Sequence, residues 1–279
     1  MVWYLNGKFV NSTGANIPVT DLGLCRGWAL FEYLRTYGQK PFMIEQHFDR
    51  FYSSAQELYL VPPLNRKSLE KLIYKLLEQK KFSTEMGVKI LLTAGESADG
   101  LNPSRKPTFA VMVFPVSQFP QSFYRRGIKL YKTFLKRFFP QVKTVNYLSA
   151  MVALKEAKNL GFDDALFCSD GGEVLEATRS NFFYFHSNVL HTTAKGVLPG
   201  ITRGLVIGLA SKSFTVKEGP VNGADLRRAD EAFITSSDKE IMPVVQVGDL
   251  KIGNGRVGAK TKFLMGEFKN FVSSYYGKY

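Results

Sequence analysis

The chain has 279 residues, 45% of them apolar and 22% charged, which is typical of a globular protein with one large domain or two modest ones. Two cysteines, Cys25 and Cys168, cannot form a disulfide framework, and no stretch of about 18 apolar residues predicts a membrane span. The N-terminus lacks the basic start and apolar stretch of a secretory signal, so we expect a soluble, cytoplasmic protein.

The net charge of +13 allows two interpretations, nucleic-acid binding or an enzyme with an anionic cofactor or substrate. The basic residues are dispersed along the chain, with short patches such as KRFFP at 136–140 but no long basic tail. Zinc-finger, RNP and basic-zipper patterns are absent. We therefore expect small-molecule substrates and neither a nucleic-acid nor a membrane partner.

The first part of the chain predicts strands mixed with two helices. Residues 2–10 alternate around an Asn-Gly pair, which is typical of a hairpin. Apolar residues at spacings of three and four predict helices over 44–60 and 68–81. Short β-rich apolar runs predict strands at 88–93 and 109–114.

After a Pro-, Gln- and Ser-containing stretch without periodicity, the second part predicts a strand series and further helices. The helices are expected at 149–160, 201–212 and 262–276. The strands are expected at 128–134, 165–168, 174–175, 181–185, 189–193 and 232–235. We predict a mixed α/β (α+β) protein with a smaller N-terminal domain at 1–116, an interdomain loop at 117–124 and a larger C-terminal domain at 125–279.

Several familiar catalytic and binding motifs are either absent or lack the sequence context that they require. The GxGxxG match at 253–258 precedes one helix and nothing more, so it is more typical of a hairpin turn than of a dinucleotide site. Neither HExxH nor GxSxG occurs, and neither cysteine has a close partner, so we expect no metal site. His47 begins a helix and is most simply a structural or capping residue.

Five blocks resemble the fold-type-IV family of pyridoxal 5'-phosphate (PLP) enzymes, which includes branched-chain aminotransferases, D-amino-acid aminotransferases and aminodeoxychorismate lyases. Together they span nearly the whole chain, and each alone would be weak. The blocks are FEYLRTYGQKPFMIEQHFDRF at 31–51, KTVNYLSAM at 143–151, GGEVLEATRSNFF at 171–183, VLPGITR at 197–203 and ADEAFITSSDKEIMPV at 229–244.

The resemblance implies a cofactor site with one catalytic lysine. Lys143, placed in the C-terminal domain, matches the residue that forms the Schiff base and shuttles a proton. Glu176 matches the partner of the pyridine nitrogen, Leu198 would pack on the ring, and Tyr147 would reach the ring hydroxyl. From the residues alone, an exposed surface lysine is the simpler interpretation of Lys143, and the alternatives are a solvent-exposed strand-end glutamate for Glu176 and core packing for Leu198.

The resemblance also implies a phosphate site. Arg50 matches the family's phosphate arginine, and Ile201 and Thr202 begin a helix where free amides favour an anion. Ser237 and Asp238 fall where the family places further donors. Asp238 departs from the usual serine or threonine, because a carboxylate can help a phosphate only through its backbone amide.

The substrate is less defined by sequence. Phe31 and Arg35 match a pattern of branched-chain aminotransferases in which the arginine lies beside the substrate pocket. The segment 94–104 lacks the arginine and histidine of well-known D-amino-acid aminotransferases. We hypothesise that Arg179 and Arg26 bind the substrate carboxylate instead, although each could pair with a neighbouring acid. This pair favours a divergent D-amino-acid aminotransferase.

The leading prediction is thus a homodimeric, PLP-dependent aminotransferase that uses an amino acid, with a D-amino acid favoured, and a 2-oxo acid such as 2-oxoglutarate or pyruvate. The alternatives are a 4-amino-4-deoxychorismate lyase and a branched-chain amino-acid aminotransferase. A nucleic-acid-binding scaffold is the hypothesis from another class.

Overall fold

The computed structural model describes residues 1–78, 84–103 and 106–275. It contains two compact units, one formed by Met1–Ser117 with Val142–Asn146, the other by Gln118–Gln141 with Tyr147–Tyr279. Both units contain strands and helices, so the predicted mixed α/β class is confirmed.

The first unit is one antiparallel sheet with helices packed on it. Its elements are β1 (Val2–Leu5), β2 (Lys8–Asn11), α1 (Leu22–Cys25), β3 (Ala29–Tyr37), β4 (Lys40–Pro41), α2 (Ile44–Glu57), α3 (Arg66–Glu78), β5 (Met86–Thr93) and β6 (Phe109–Pro115). The strand order is β2-β1-β6-β5-β3-β4. The predicted hairpin turns at Asn6 and Gly7, both with positive φ, as a tight two-residue turn requires.

The core of this unit lies where α2 and α3 cover one face of the sheet. Both helices appear where their periodicity predicts them, although residues 79–81 lie outside the described part of the chain. The apolar stripes of the helices pack on the buried face of β3, which carries Leu30 and Leu34. Phe31 lies on the other face of the strand and is partly exposed.

The second unit is built on a nine-stranded sheet. Its elements are α4 (Gln121–Arg126), β7 (Ile128–Thr133), α5 (Leu148–Asn159), β8 (Asp164–Cys168), β9 (Val174–Ala177), β10 (Ser180–His186), β11 (Val189–Thr192), α6 (Ile201–Ala210), β12 (Thr215–Glu218), α7 (Gly223–Arg227), β13 (Glu231–Ser236), β14 (Glu240–Val247), β15 (Leu250–Lys251) and α8 (Ala259–Tyr275). The predicted helices and strands of this part are present, with ends that differ by up to three residues, and residue 276 of the last predicted helix lies outside the described part of the chain.

This second sheet closes on itself. Its order is β12-β11-β10-β13-β14-β7-β8-β9, and β9 also pairs with β10, so six of the strands form a ring. The closing contact joins Ser180 to Ala177 and Asn181 to Glu176 across the β9–β10 turn. The start of β10 and the end of β9 are thereby fixed next to each other.

The glycine-rich stretch at 253–258 is a turn, but it joins β15 to α8 rather than two paired strands. Gly253 has φ +52°, and a β-carbon there would collide with the carbonyl oxygen of Asp230. Glycine is therefore needed for a close backbone approach, not for a dinucleotide. Among the helices of the described residues, none combines the length and the apolar character needed to cross a bilayer.

Two details differ from the predicted domain organisation. Residues 117–124, expected as a loop, include the start of α4, which begins after Pro120 and ends at Arg126, followed by Gly127 as its C-cap with φ +77°. The segment Val142–Asn146, expected in the C-terminal domain, groups with the first unit because its backbone hydrogen-bonds to β3. Such a pairing leaves no local signal in the sequence.

Candidate active site

Lys143 lies on a short extended segment that runs beside β3. The Phe31 amide donates to the carbonyl of Lys143 (2.9 Å), and the Val145 amide donates to the carbonyl of Ala29 (3.2 Å). The Lys143 side chain is half-buried, and its Nζ lies 4.7 Å from the centre of the Phe31 ring. Two backbone bonds and a cation–π contact thus hold the lysine in place.

A second lysine faces the same ring. Lys89 on β5 places its Nζ 4.7 Å from the centre of the Phe31 ring. Burial, and then the nearby charge of Lys143, lower the pKa of Lys89. Two amines around one aromatic ring give this face of the first unit a positive potential that favours an anion.

Arg35 follows Phe31 on the same side of β3. Its guanidinium lies 4.3 Å from the centre of the Tyr37 ring, and its Nε donates to the carbonyl of Thr36 (3.4 Å). The side chain is therefore stacked along its own strand.

Arg50 is held by a buried acid on the opposite face of β3. Glu32 accepts from Arg50 Nε (2.9 Å) and Nη2 (2.6 Å), and its Oε1 lies 3.0 Å from His47 Nδ1. Burial alone would raise the pKa of Glu32, but Arg50 and His47 outweigh it and hold that pKa well below its usual range. Burial lowers the pKa of His47, so the cluster contains a carboxylate, a guanidinium and a neutral imidazole.

In the second unit, Glu176 is a buried acid with partners on both oxygens. Its Oε1 accepts from the guanidinium of Arg137. Its Oε2 accepts from the Leu198 amide (3.2 Å) and from Asn181 Nδ2 (3.3 Å), and the same Asn181 nitrogen donates to the Leu198 carbonyl (2.8 Å). Leu198 therefore contacts this acid through its backbone.

The start of α6 carries free donors. Its N-cap is Gly200, which has no side chain to accept from the first-turn amides of Ile201 and Thr202. A β-carbon at position 200 would collide with Oδ1 of Asn181, so any side chain there would force Asn181 to shift. Thr235 pairs with Asn181 across β10 and β13, and within the described residues its buried hydroxyl has no hydrogen-bond partner.

The turn between β13 and β14 contains Ser237 and Asp238, both half-buried. Asp238 Oδ1 accepts from Ser236 Oγ (2.6 Å). Burial would raise the pKa of Asp238, but Lys239, the Ser236 hydroxyl and Arg179 together lower it. The Asp238 carboxylate is therefore charged and turned toward its own turn, and exposed Arg179 contributes a nearby positive charge.

Lys239 is a buried cation that the sequence did not single out. Its Nζ donates to Ser180 Oγ (3.1 Å) and lies 3.5 Å from Asp164 Oδ2. Asp164 in turn accepts from Thr178 Oγ1 (2.5 Å). This network connects the β9–β10 and β13–β14 turns within the second unit.

The remaining two candidates have different surroundings. Tyr147 precedes α5 and packs against the small apolar cluster of Ala150 and Phe167. Arg26 is exposed, and its guanidinium donates to the carbonyls of Gly100 (3.2 Å) and Cys25 (3.3 Å). Arg26 is therefore bound to backbone oxygens of its own unit rather than to an acid.

Besides Lys239, sequence reasoning missed three residues that organise these contacts. Glu32 and Asn181 are polar residues in strands rich in large apolar side chains, and that break in the pattern was an available signal. Arg137 offered none, because it lies in the KRFFP patch, which looks like ordinary basic surface.

The sequence matches the profile of the family Amino-transferase class IV over residues 29–247. A protein of Methanocaldococcus jannaschii named "Putative branched-chain-amino-acid aminotransferase" is 35% identical over 96% of this chain and 95% of its own length. A D-alanine aminotransferase of Listeria monocytogenes is 29% identical over 92% of this chain and 91% of its own length.

Solved structures give the same result. The branched-chain amino acid aminotransferase of Escherichia coli has a TM-score of 0.91 at 25% identity, covering 97% of this chain and 94% of that one. The T.th. branched-chain amino acid aminotransferase with pyridoxamine 5'-phosphate has a TM-score of 0.90 at 27% identity, covering 97% and 93%. The chain belongs to the class IV aminotransferases, a family of PLP-dependent transaminases, and the predicted resemblance is confirmed.

Proposed function

We propose that the protein binds PLP through Lys143 and transfers an amino group between an amino acid and a 2-oxo acid. The observation that carries the proposal is the carboxylate of Glu176, which is buried, paired to an arginine and fixed at both oxygens. A pyridinium nitrogen needs such an anionic partner. The complex of a solved relative with pyridoxamine 5'-phosphate supports the class of cofactor.

The donors of the second unit fit a phosphate. The α6 amides and the buried Thr235 hydroxyl require acceptors, and a phosphate at a helix start supplies them. The family resemblance adds Arg50, whose guanidinium is fixed by Glu32. The residues that we assign to phosphate binding are Arg50, Ile201, Thr202, Ser237 and, through its amide, Asp238.

The reaction requires one group that moves a proton. When bound, PLP supplies an aldehyde for amine exchange and a ring that withdraws electrons from the substrate α-carbon. We assign Nζ of Lys143 to hold the cofactor, to take the α-proton from the substrate and to deliver it to the former aldehyde carbon of the cofactor, where the amino group would remain. Glu176 would keep the ring nitrogen protonated, Leu198 would support the ring, and Tyr147 would donate to the ring hydroxyl.

Two substrate classes follow from different observations. The 35% identical relative and the pattern of Phe31 and Arg35 favour an amino acid with a branched aliphatic side chain. The D-alanine aminotransferase relatives, together with Arg26 and Arg179 as carboxylate ligands, favour a D-amino acid. The D-amino acid preferred from sequence remains a prediction. The family resemblance also leads us to propose a homodimer acting in the cytoplasm.

Spectroscopy with the purified protein tests this function. After PLP is added to the apoprotein and unbound PLP is removed, the protein should retain a visible absorption band, and borohydride should fix the cofactor to a peptide containing Lys143. Lys143→Ala should lose both, whereas Lys212→Ala, a surface change, should retain both. Fixation to another lysine, or an unchanged Lys143→Ala variant, would overturn the assignment.

Single amino acids then identify the reaction and the substrate. If the enzyme is a transaminase, one amino acid alone should bleach the visible absorption band and release the matching 2-oxo acid, because the amino group remains on the cofactor. A lyase would instead release pyruvate from aminodeoxychorismate without bleaching. Comparing L-leucine with D-alanine distinguishes the two substrate classes.

A further inference from the structure

Arg137 is turned inward while its neighbours face water. Lys136 is 67% exposed and pairs with Asp170, which is itself 70% exposed, and Phe138 and Phe139 are exposed as well. The Arg137 side chain is only 10% exposed, and its guanidinium contacts Oε1 of Glu176. One residue of a basic surface patch thus reaches a deeply buried acid of the proposed site.

The contact decides the charge of Glu176. A buried carboxylate without a cation is strongly destabilised and takes up a proton instead. Arginine is not deprotonated in proteins, so Arg137 keeps the carboxylate ionised before any ligand arrives. Asn181 on β10 and the Leu198 amide also donate to Glu176, but both are neutral donors.

These contacts also decide where the carboxylate points. Arg137 occupies Oε1, whereas Asn181 and the Leu198 amide share Oε2. Asn181 is in turn fixed by its bond to the Leu198 carbonyl. The carboxylate therefore has one orientation, set by a charged donor on one oxygen and by neutral donors on the other.

We infer that Arg137 is a positioning residue that fixes the charge and orientation of Glu176 and thereby sets how firmly this acid pairs with the cofactor's ring nitrogen. The inference rests on the proposed function. Without Arg137, Glu176 accepts a proton at higher pH and then no longer holds the ring nitrogen protonated.

The test is a pH titration of the visible band of the PLP-loaded enzyme, combined with the cofactor dissociation constant. Arg137→Met removes the charge and keeps much of the side-chain volume. The acid-side midpoint of the visible band should lie about one to three pH units higher in Arg137→Met than in the wild type, because an opposite charge at contact distance shifts the pKa of a carboxylate by that amount. Its affinity for PLP should fall about tenfold or more, which corresponds to a lost charge-assisted hydrogen bond.

Two further variants separate this role from simple structural support. Arg137→Lys keeps the charge and should restore most of the midpoint shift, because the ammonium still supplies a positive charge beside Glu176. Lys136→Met, the neighbouring charge removal, should match the wild type. A residue that only supported the fold would lower stability and PLP binding without moving the midpoint.

Two outcomes would overturn the inference. One is an Arg137→Met midpoint that coincides with the wild type. The other is a midpoint shift of the same size when Arg137→Met is combined with Glu176→Gln, since Arg137 would then act without involving the Glu176 carboxylate. Failure of the wild type to take up PLP would instead refute the proposed function, so the two failures are distinguishable.

Discussion

Glu32 and Glu176 illustrate the same physical arrangement at two positions. Each is an acid buried on a strand, and each is paired with an arginine from another segment, Arg50 and Arg137 respectively. Burial opposes the charge of a carboxylate, and a fixed guanidinium restores it. Each acid also orients its arginine, so each pair fixes the position of a guanidinium as well as that of a carboxylate.

Glu32→Gln should destabilise the apoprotein by about 3–5 kcal/mol, because it leaves the buried guanidinium of Arg50 without its anion. Urea unfolding measures this loss. The matched control is Glu45→Gln on α2, since exposed Glu45 lies 3.8 Å from exposed Arg66 and such surface pairs contribute about 0–1 kcal/mol. Equal urea midpoints for the two variants would contradict a stabilising role for the buried pair.

The same pair predicts a pH dependence. The pKa of Glu32 is lowered on folding from an ordinary value of 4.5, so its contribution to stability is complete above about pH 4.5. It is lost progressively as the pH falls toward the folded-state pKa. Wild type and Glu32→Gln should therefore differ most in urea midpoint at neutral pH and converge on acidification. A difference that stays constant down to about pH 3 would contradict the assignment.

Arg179→Ala should raise KM for the amino acid about 10- to 100-fold while PLP affinity stays unchanged. The estimate is the loss of one charge-assisted bond to a carboxylate, about 1.5–3 kcal/mol. Steady-state kinetics and PLP titration measure the two quantities. Arg256→Ala, in the surface turn before α8, is the control. Unchanged KM would show that Arg179 serves only to balance the charge of Asp238.

At the scale of elements, the start of α6 depends on a single glycine. Gly200 ends the incoming loop, and its missing side chain leaves room for Asn181, which also binds Glu176 and Leu198. The helix start and the acid are therefore positioned by the same amide side chain.

Gly200→Ala should lower PLP affinity about tenfold or more and destabilise the protein by about 1–3 kcal/mol, as expected when a β-carbon is forced into a filled space. Gly204→Ala, one turn later, is the matched control. A β-carbon there meets no atom within 4 Å, and alanine favours a helix interior by up to about 1 kcal/mol. PLP titration and urea unfolding measure both variants. If Gly200→Ala matched Gly204→Ala in the two measurements, the close packing of Gly200 against Asn181 would be contradicted.

Elements with a strong local pattern were predictable, and those shaped by distant partners were not. The periodicity of α2 and α3 is carried by their own residues, so both were found close to their observed ends. Buried Glu32 interrupts the apolar pattern of β3, and Pro243 lies inside β14, where a residue without an amide hydrogen argues against a strand. Neither strand was predicted, although each lies in the interior of its sheet.

At the scale of the whole molecule, sequence resemblance identified the family and the candidate lysine, whereas the connections had to come from the structure. The pairing of β9 with β10 closes the second sheet, and the pairing of Val142–Asn146 with β3 groups Lys143 with the first unit. Both depend on hydrogen bonds between backbones whose sequences carry no pairing code. The contact of Arg137 with Glu176, 39 residues apart, was hidden for the same reason.

The net charge of +13 should accelerate capture of the anionic cofactor. A phosphate carries close to two negative charges at neutral pH, and a positively charged protein attracts it over a range that salt shortens to about 10 Å at 0.1 M. The association rate constant of PLP with the apoprotein, measured by stopped-flow absorbance, should therefore fall several-fold between about 10 and 300 mM NaCl, consistent with steering effects of about 10-fold or more. Pyridoxal has the same ring and aldehyde without the phosphate, so its rate constant should change little. The same salt dependence for both compounds would show that the excess of lysine and arginine only solvates the surface.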